Sequence, residues 1–259
     1  DRAPIHLMRR HRLLLQLGLA LLLLALIALL INNLTVNLIR TGLGLGFGWL
    51  GRPAGFALAE TALPYAPSDS YLWALTIGWL NSLKVILAGL VLATLLGVAA
   101  GAARNSGNRL LRSLAGTYVA LIRQVPLLLQ LLFWYFVAFL GLPSMPVGGL
   151  IQLSNQGIQL LGLNLSVEFC AVLTGLTVFT GASIAEIVRG GINAVPRGQW
   201  EAFRSLGLNE GLGLRRIVLP QALPAILPAL TSQYLNLAKN STLAIAVGYA
   251  DLYDVSDTT

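Results

Sequence analysis

Charge is scarce in this 259-residue chain: Asp, Glu, Lys and Arg make up 10% of it, against 56% hydrophobic residues. So little charge excludes a single soluble core with a wetted surface, for which about a quarter of the residues are charged. Cysteine occurs once, at Cys170 in an apolar run, so no disulfide framework and no multi-cysteine metal site forms within the chain. Its expected role is that of a small buried hydrophobe. No paired carboxylates, histidine cluster or Ser/His/Asp set falls in the apolar segments, which argues against a membrane-embedded enzyme. A G-x-x-x-x-G-K-[ST] phosphate loop is also lacking, so ATP is not cradled here by that route. Acidic residues number 10 against 17 basic ones, for a net charge of +7. In a soluble protein that excess raises the question of nucleic acid. Here the arginines sit between apolar segments, the pattern of basic cytoplasmic loops, and no nucleic-acid partner is expected.

What is present is a series of long apolar runs without period-two alternation, which favours membrane helices over a barrel. Five spans follow from the length needed to cross hydrocarbon. They are Leu13 to Ile31, Leu83 to Ala103 entered through amphipathic Tyr71 to Asn81, Leu127 to Leu142, Phe169 to Val188, and Leu223 to near Tyr249. The predicted fold is an all-α integral membrane protein, a multi-span helical bundle. Arg2, Arg9, Arg10 and Arg12 precede the first span, Arg104, Arg109, Arg112 and Arg123 follow the second, and Arg189, Arg197, Arg204, Arg215 and Arg216 follow the fourth. The positive-inside rule then makes the N-terminus cytoplasmic and residue 259 external. Asp1 in place of Met, and Thr259 without a closing basic cluster, predict a portion of a longer chain with a further C-terminal span.

Residues 1–70 are expected to form the first helix and an external interfacial loop rich in Gly, Pro and aromatics, and residues 71–259 the core. The uncharged external stretch Gly141 to Ser166, with Pro143, Pro146, Gly148 and Gly149, predicts a short loop with an interfacial helix.

The cytoplasmic loop at 190–220 predicts two short helices. Pro196 suits a first helical turn, Gly207 the left-handed position past a helix end, and Asn209 the cap of the next helix. Val195, Ala202, Phe203 and Leu206 fall on one side at helical spacing, opposite Arg197 and Arg204. Such a helix lies on lipid or docks in a groove of another protein, and periodicity does not choose between them.

The spacing Glu201-Ala202-Phe203, three residues, Gly207, nine residues, Ile217-Val218-Leu219-Pro220 resembles the E-A-A-x3-G-x9-I-x-L-P loop of bacterial ABC-importer permeases. Phe203 departs from the second Ala of that pattern. Val195-Pro196-Arg197-Gly198-Gln199, Leu219-Pro220-Gln221-Ala222-Leu223-Pro224, Arg123-Gln124-Val125-Pro126-Leu127-Leu128 and Lys239-Asn240-Ser241-Thr242-Leu243 resemble the polar, general L-amino-acid branch of that family.

The resemblance implies a permease subunit in the bacterial cytoplasmic membrane that forms half of a translocation path for amino acids. It implies an ABC ATPase dimer as a separate partner carrying ATP and Mg, with no cofactor in this chain itself. A second, homologous but different permease and an external, periplasmic binding protein complete the assembly. The loop's helices would sit in a cleft of the ATPase, giving Val195, Pro196, Trp200, Ala202, Phe203 and Leu206 contact roles. Glu201 would anchor the loop and Gly207 would permit its turn. The best candidate for the substrate path is Lys239, Asn240, Ser241 and Thr242, about 24 Å along the helix from Leu223. The structural alternative is that Lys239 snorkels outward while its neighbours satisfy nearby backbone. Lys84, Glu168 and Glu186 are further ionisable residues at span ends, and Glu186 with Arg189 reads as an ordinary helix pair. An ion-coupled transporter would show more buried acids and a pseudo-symmetric second half, and neither is visible.

Overall fold

The computed structural model describes residues 5–40, 46–61, 63–141, 145–147, 151–154, 157–160 and 163–258. They form two units, Asp1–Gly51 and Arg52–Thr259. The first holds α1 (Ile5–Arg40) and a 3-10 turn at Phe47–Gly51. α1 outruns the expected Leu13 to Ile31 span because no Gly or Pro follows Ile31 until Gly42. Thr35 turns its hydroxyl onto the Asn32 carbonyl at 2.8 Å, so the asparagines continue the helix.

The second unit is built on α2 (Tyr71–Arg104) and α5 (Val167–Asn193), which pack side by side in the same direction. Gly89, Ala93, Gly97 and Gly101 recur every four residues on α2. A Cβ on Gly97 would stand 2.5 Å from Cβ of Ile184, and one on Gly101 2.7 Å from Cβ of Val188. Small residues let membrane helices approach closely and gain van der Waals contact where no hydrophobic effect drives them together. Ser70 and Ser166 cap the two helices by accepting from the Trp73 and Phe169 N–H groups.

The expected third span, Leu127 to Leu142, is shorter and forms the second limb of a bent pair of helices. α3 (Arg109–Gln124) and the arm Leu127–Phe139 meet at 106°; the arm starts as α4 (Leu127–Leu132) and continues as π-helix over Phe133–Phe139. α3 buries Ala115 and Val119 with Ala100, Ala182 and Ala185, so residues read as cytoplasmic loop are part of the bundle. Val125 before Pro126 is extended (φ −100°, ψ 128°), the conformation that a following proline enforces. Three described helices, Arg12–Arg40, Tyr71–Arg104 and Val167–Asn193, are long and apolar enough to cross a membrane, with the bent pair as a fourth.

The expected fifth span is also shorter. α6 (Arg197–Ser205) and α7 (Glu210–Gly213) precede α8 (Leu219–Asn240), which gives way to a 3-10 turn at Ser241–Val247. That turn is closed by Gly248 at φ +73°, and α9 (Leu252–Thr258) then packs on α2. α8 buries Ala222, Ile226, Leu230 and Leu237 and exposes Gln221, Thr231, Ser232, Asn236 and Lys239.

The stretch before α5 corrects the all-α expectation. Instead of an interfacial helix it holds an antiparallel meander of β1 (Met145–Val147), β2 (Ile151–Ser154), β3 (Gly157–Leu160) and β4 (Leu163–Leu165). The reason is a period of two: Gln152 pairs with Gln159 and Gln159 with Asn164, each flanked by Ile or Leu. Pro143, Gly148 and Gly149 lie outside the described residues.

Residues 52–70 pack with the second unit, where Ala54, Phe56 and Tyr65 gather on Ala74 and Val255. Tyr65 donates its hydroxyl to the Phe56 carbonyl at 2.8 Å. Burial, then the nearby Asp69 charge, pushes its phenol up from the usual range.

Candidate functional site

The loop at 190–220 is a helical hairpin whose apolar centre is continuous with the core formed by α2, α5 and α8. Pro196 (φ −55°) is the N-cap of α6, with its missing donor outside the helix. Gly207 follows α6 at φ +69°, where L side chains are strained. Asn209 accepts from the Leu212 N–H at 2.8 Å and starts α7. Seven of the ten residues from Val195 to Arg204 are exposed, so what lies inside decides the hairpin's shape. Phe203 is fully buried and Val195 nearly so, packed with Ile192 and Val218. A Cβ on Gly213 would meet the Phe203 ring at 2.4 Å, so the ring lies directly on the α7 backbone.

The residues singled out in sequence therefore part company. Val195 and Phe203 face inward, Trp200 is half-buried, and Pro196, Glu201, Ala202, Leu206 and Gly207 are exposed, Leu206 at 75%. The apolar side expected from spacing is split because α6 packs on its own chain through Phe203 and leaves Leu206 outside. Sequence reasoning missed Glu210: Arg204 Nε donates to its carboxylate at 2.8 Å across the Gly207 turn. That contact holds the exposed Arg204 guanidinium above its usual range. The guanidinium also lies 5.8 Å from Trp200 and 5.6 Å from Phe203. Trp200, Arg204 and Glu210 line a groove of about 610 Å³ that reaches Asn105 and Arg112 at the α2–α3 turn.

The Lys239 to Thr242 cluster stands at the α8 terminus. Lys239 and Thr242 are exposed, Asn240 is half-buried and Ser241 is buried. Ser241 and Thr242 return their hydroxyls to Ala238 and Lys239 carbonyls at 2.9 and 2.8 Å. Those two residues line a cavity of about 380 Å³ with Ser82, Asp251 and Ser256, whereas Lys239 and Asn240 do not.

The remaining ionisable residues form clasps. Lys84 pairs with Glu60, which also accepts from Ser166, and its Nζ sits 4.2 Å over the Phe169 ring. Glu186 accepts from Arg189 Nε at 3.1 Å, as its spacing implied, and also from Arg104 on α2. Tyr135 donates to Glu168 at 3.2 Å.

Residues 89–254 match the family described as binding-protein-dependent transport system inner membrane component. The chain is 33% identical to a putative amino-acid ABC transporter permease protein, YhdX, of Escherichia coli, across 86% of this chain and 78% of that protein. It is 32% identical to the general L-amino acid transport system permease protein AapQ of Rhizobium johnstonii, over 88% and 78%. Among solved structures, a crystal structure of an amino acid ABC transporter with histidines superposes with a TM-score of 0.57 at 30% identity, covering 72% of this chain and 78% of that one. A MetNI methionine ABC transporter in an inward-facing conformation, 22% identical, shares the fold (TM-score 0.54; 71% and 78% covered). The chain is a member of the binding-protein-dependent transport system inner membrane component family, the permeases of ABC transporters.

Proposed function

We propose that this chain is the permease subunit of an ATP-driven amino-acid importer in the bacterial cytoplasmic membrane, with its N-terminus cytoplasmic. The observation that carries the reading is the hairpin at 190–220. Its two helices are fixed from within by Phe203 and across the turn by Arg204 and Glu210, while Glu201, Ala202, Leu206 and Gly207 are presented outward. A rigid knob of that kind transmits closure of a separate ATPase dimer, which holds ATP and Mg. Residues 1–70 supply the first transmembrane helix and an external loop whose part from Arg52 packs with the core, and 71–259 form the translocating core, paired with a second, different permease and served by an external binding protein.

The exposed polar residues of α8, Gln221, Thr231, Ser232 and Asn236, which alternate with exposed Leu223, Leu227 and Leu235, support a path that runs toward Lys239, Asn240, Ser241 and Thr242. Polar groups are costly against lipid, so they line an aqueous route or a partner helix. The test is copurification of the ATPase with wild type, Leu206→Glu and Gly207→Pro subunits. Loss of the ATPase from both variants, with the permease pair intact, supports the reading; full retention of the ATPase by both overturns it.

A further inference from the structure

The turn between α2 and α3 marks an edge of the bundle's apolar band. Exposed apolar residues on α2 run through Leu87, Val91, Leu95 and Val98, and on α3 they resume with Leu110 and Leu114, 66% and 60% exposed. The residues from Asn105 to Arg109 are polar or glycine, so this turn stands at the level of lipid headgroups. α3 divides its faces accordingly. Ala115 and Val119 go to the bundle, Leu110 and Leu114 to hydrocarbon, and Arg112 lines the groove beside the hairpin.

That groove, of about 610 Å³, has the size of a small-molecule site. Asn105, Ser106 and Arg112 come to it from the α2–α3 region, and Trp200, Arg204 and Glu210 from the hairpin. Arg204 is fixed by its Nε bond to Glu210 and by the Trp200 and Phe203 rings, and its terminal amino groups make no hydrogen bond among the described residues. Glu210 is neutralised by that bond. Arg112 is exposed and has no ion pair among the described residues, and the same holds of Arg109, one turn before it, and of Arg215, next to groove-lining Leu214. Arg104 and Arg189, by contrast, share Glu186. The Ser106 hydroxyl accepts from the Asn108 N–H at 3.1 Å and donates to no described group, so it has a proton to give. Surplus positive charge at headgroup level attracts acidic lipid. Glu201, Ala202, Leu206 and Gly207 do not line the groove, so it and the hairpin's outward face are separate surfaces.

We propose that the groove seats the headgroup of an anionic phospholipid. Its phosphate bridges Arg112 on α3 and Arg204 on α6 and accepts from Ser106, while its acyl chains lie along Leu110 and Leu114. Those leucines at the rim favour a lipid over a free anion or an acidic protein segment, neither of which has hydrocarbon to lay on them. The bridge braces the hairpin against the bundle, so the hairpin's position becomes sensitive to acidic lipid. The assignment needs the bundle to stand in a membrane, as family membership implies, and is independent of the solute that crosses it.

The test is quenching of a fluorophore on Gly107→Cys, at the exposed rim of the groove, where an added Cβ meets open space. Cys170, the chain's own thiol, is buried. The complex of this subunit with its partner permease and ATPase, the partner chains' cysteines replaced, is placed in phosphatidylcholine nanodiscs with a small share of nitroxide-labelled lipid. Labelled phosphatidylglycerol is expected to quench at a mole fraction at least about fivefold lower than labelled phosphatidylcholine, the scale of one arginine at a charged surface. Arg112→Gln should remove that preference and Arg112→Lys keep most of it, while Arg109→Gln, outside the groove, should change it less than about twofold. Equal quenching by the two lipids, or equal losses from Arg112→Gln and Arg109→Gln, would reduce the effect to diffuse surface charge and overturn the site. Displacement of labelled phosphatidylglycerol by millimolar inorganic phosphate would give the groove to a free anion, and loss of the ATPase from the purified Arg112→Gln complex would give Arg112 to a protein contact; either overturns the lipid assignment. None of these readouts needs transport, so they stand or fall apart from the importer reading.

Discussion

The Phe203 ring lies against the backbone of Gly213, so close that a Cβ there would stand 2.4 Å from the ring's Cδ2. This contact welds α6 to α7. Gly213→Val is expected to force the two helices apart, at a cost of about 1–3 kcal/mol. Phe203→Ala leaves a cavity in the same place and costs about 3–5 kcal/mol. Thermal unfolding of the detergent-purified permease pair reads both, and each variant should also lose ATPase affinity although Phe203 itself is buried. Unchanged ATPase binding with lowered stability would show that the shape of the hairpin is unimportant to docking.

Gly207 sits at φ +69° with open space around an added Cβ. A substitution there meets backbone strain and no steric clash. Gly207→Ala is expected to cost about 1–2 kcal/mol and Gly207→Asn less, since asparagine tolerates this region. The order Gly, Asn, Ala in melting temperature is the check; an equal effect of Ala and Asn would mean the turn relaxes to another conformation.

On α2, Gly97 faces Ile184 with no room for a side chain. Gly97→Leu should prevent close packing with α5 and lower expression and stability sharply. Ile184→Ala keeps the Cβ that stands 2.5 Å away and leaves the Gly181 carbonyl at 2.8 Å, so it should not rescue Gly97→Leu, while destabilising the wild type by about 2–5 kcal/mol. Rescue by Ile184→Ala would place the clash on the outer Ile184 methyls and not on the close backbone approach.

Asp251 is 1% exposed, and burial pushes its carboxyl above the usual range, partly opposed by the Asp254 and Tyr253 N–H groups. The folded value is raised, so the protonated form is favoured by the fold. Its contribution is complete below the unfolded value of 3.8 and is lost as pH rises through the folded value. Asp251→Asn keeps an acceptor for the Asp254 N–H, which lies 2.9 Å from the carboxylate. The variant should be more stable than wild type at neutral pH, and the gap should close as pH falls toward the ordinary carboxylate range. A gap that does not change with pH would assign it to packing.

The parts of this structure written in local chemistry were legible. Pro196, Gly207 and Asn209 each specify one backbone conformation, and the two short helices of the 190–220 hairpin follow from them. Cys170 is buried, as an isolated cysteine in an apolar run implies. The parts that depend on what packs against what were not. Arginines at 109, 112 and 123 made α3 read as a loop, whereas its small residues Ala115 and Val119 bury against α2 and α5. The meander from Met145 to Leu165 hides its alternation in segments of three or four residues, too short for a periodic signal. Phe203 points inward because Gly213, ten residues on, leaves space for its ring, and spacing within α6 alone does not reveal that.

The most direct test of the account is ATP-dependent uptake of radiolabelled amino acid into proteoliposomes. These would contain this subunit with its partner permease and ATPase, plus the external binding protein, with all ion gradients collapsed by ionophores. The account predicts uptake that needs ATP and the binding protein and is abolished by Gly207→Pro. Uptake driven by an ion gradient without the ATPase would contradict it.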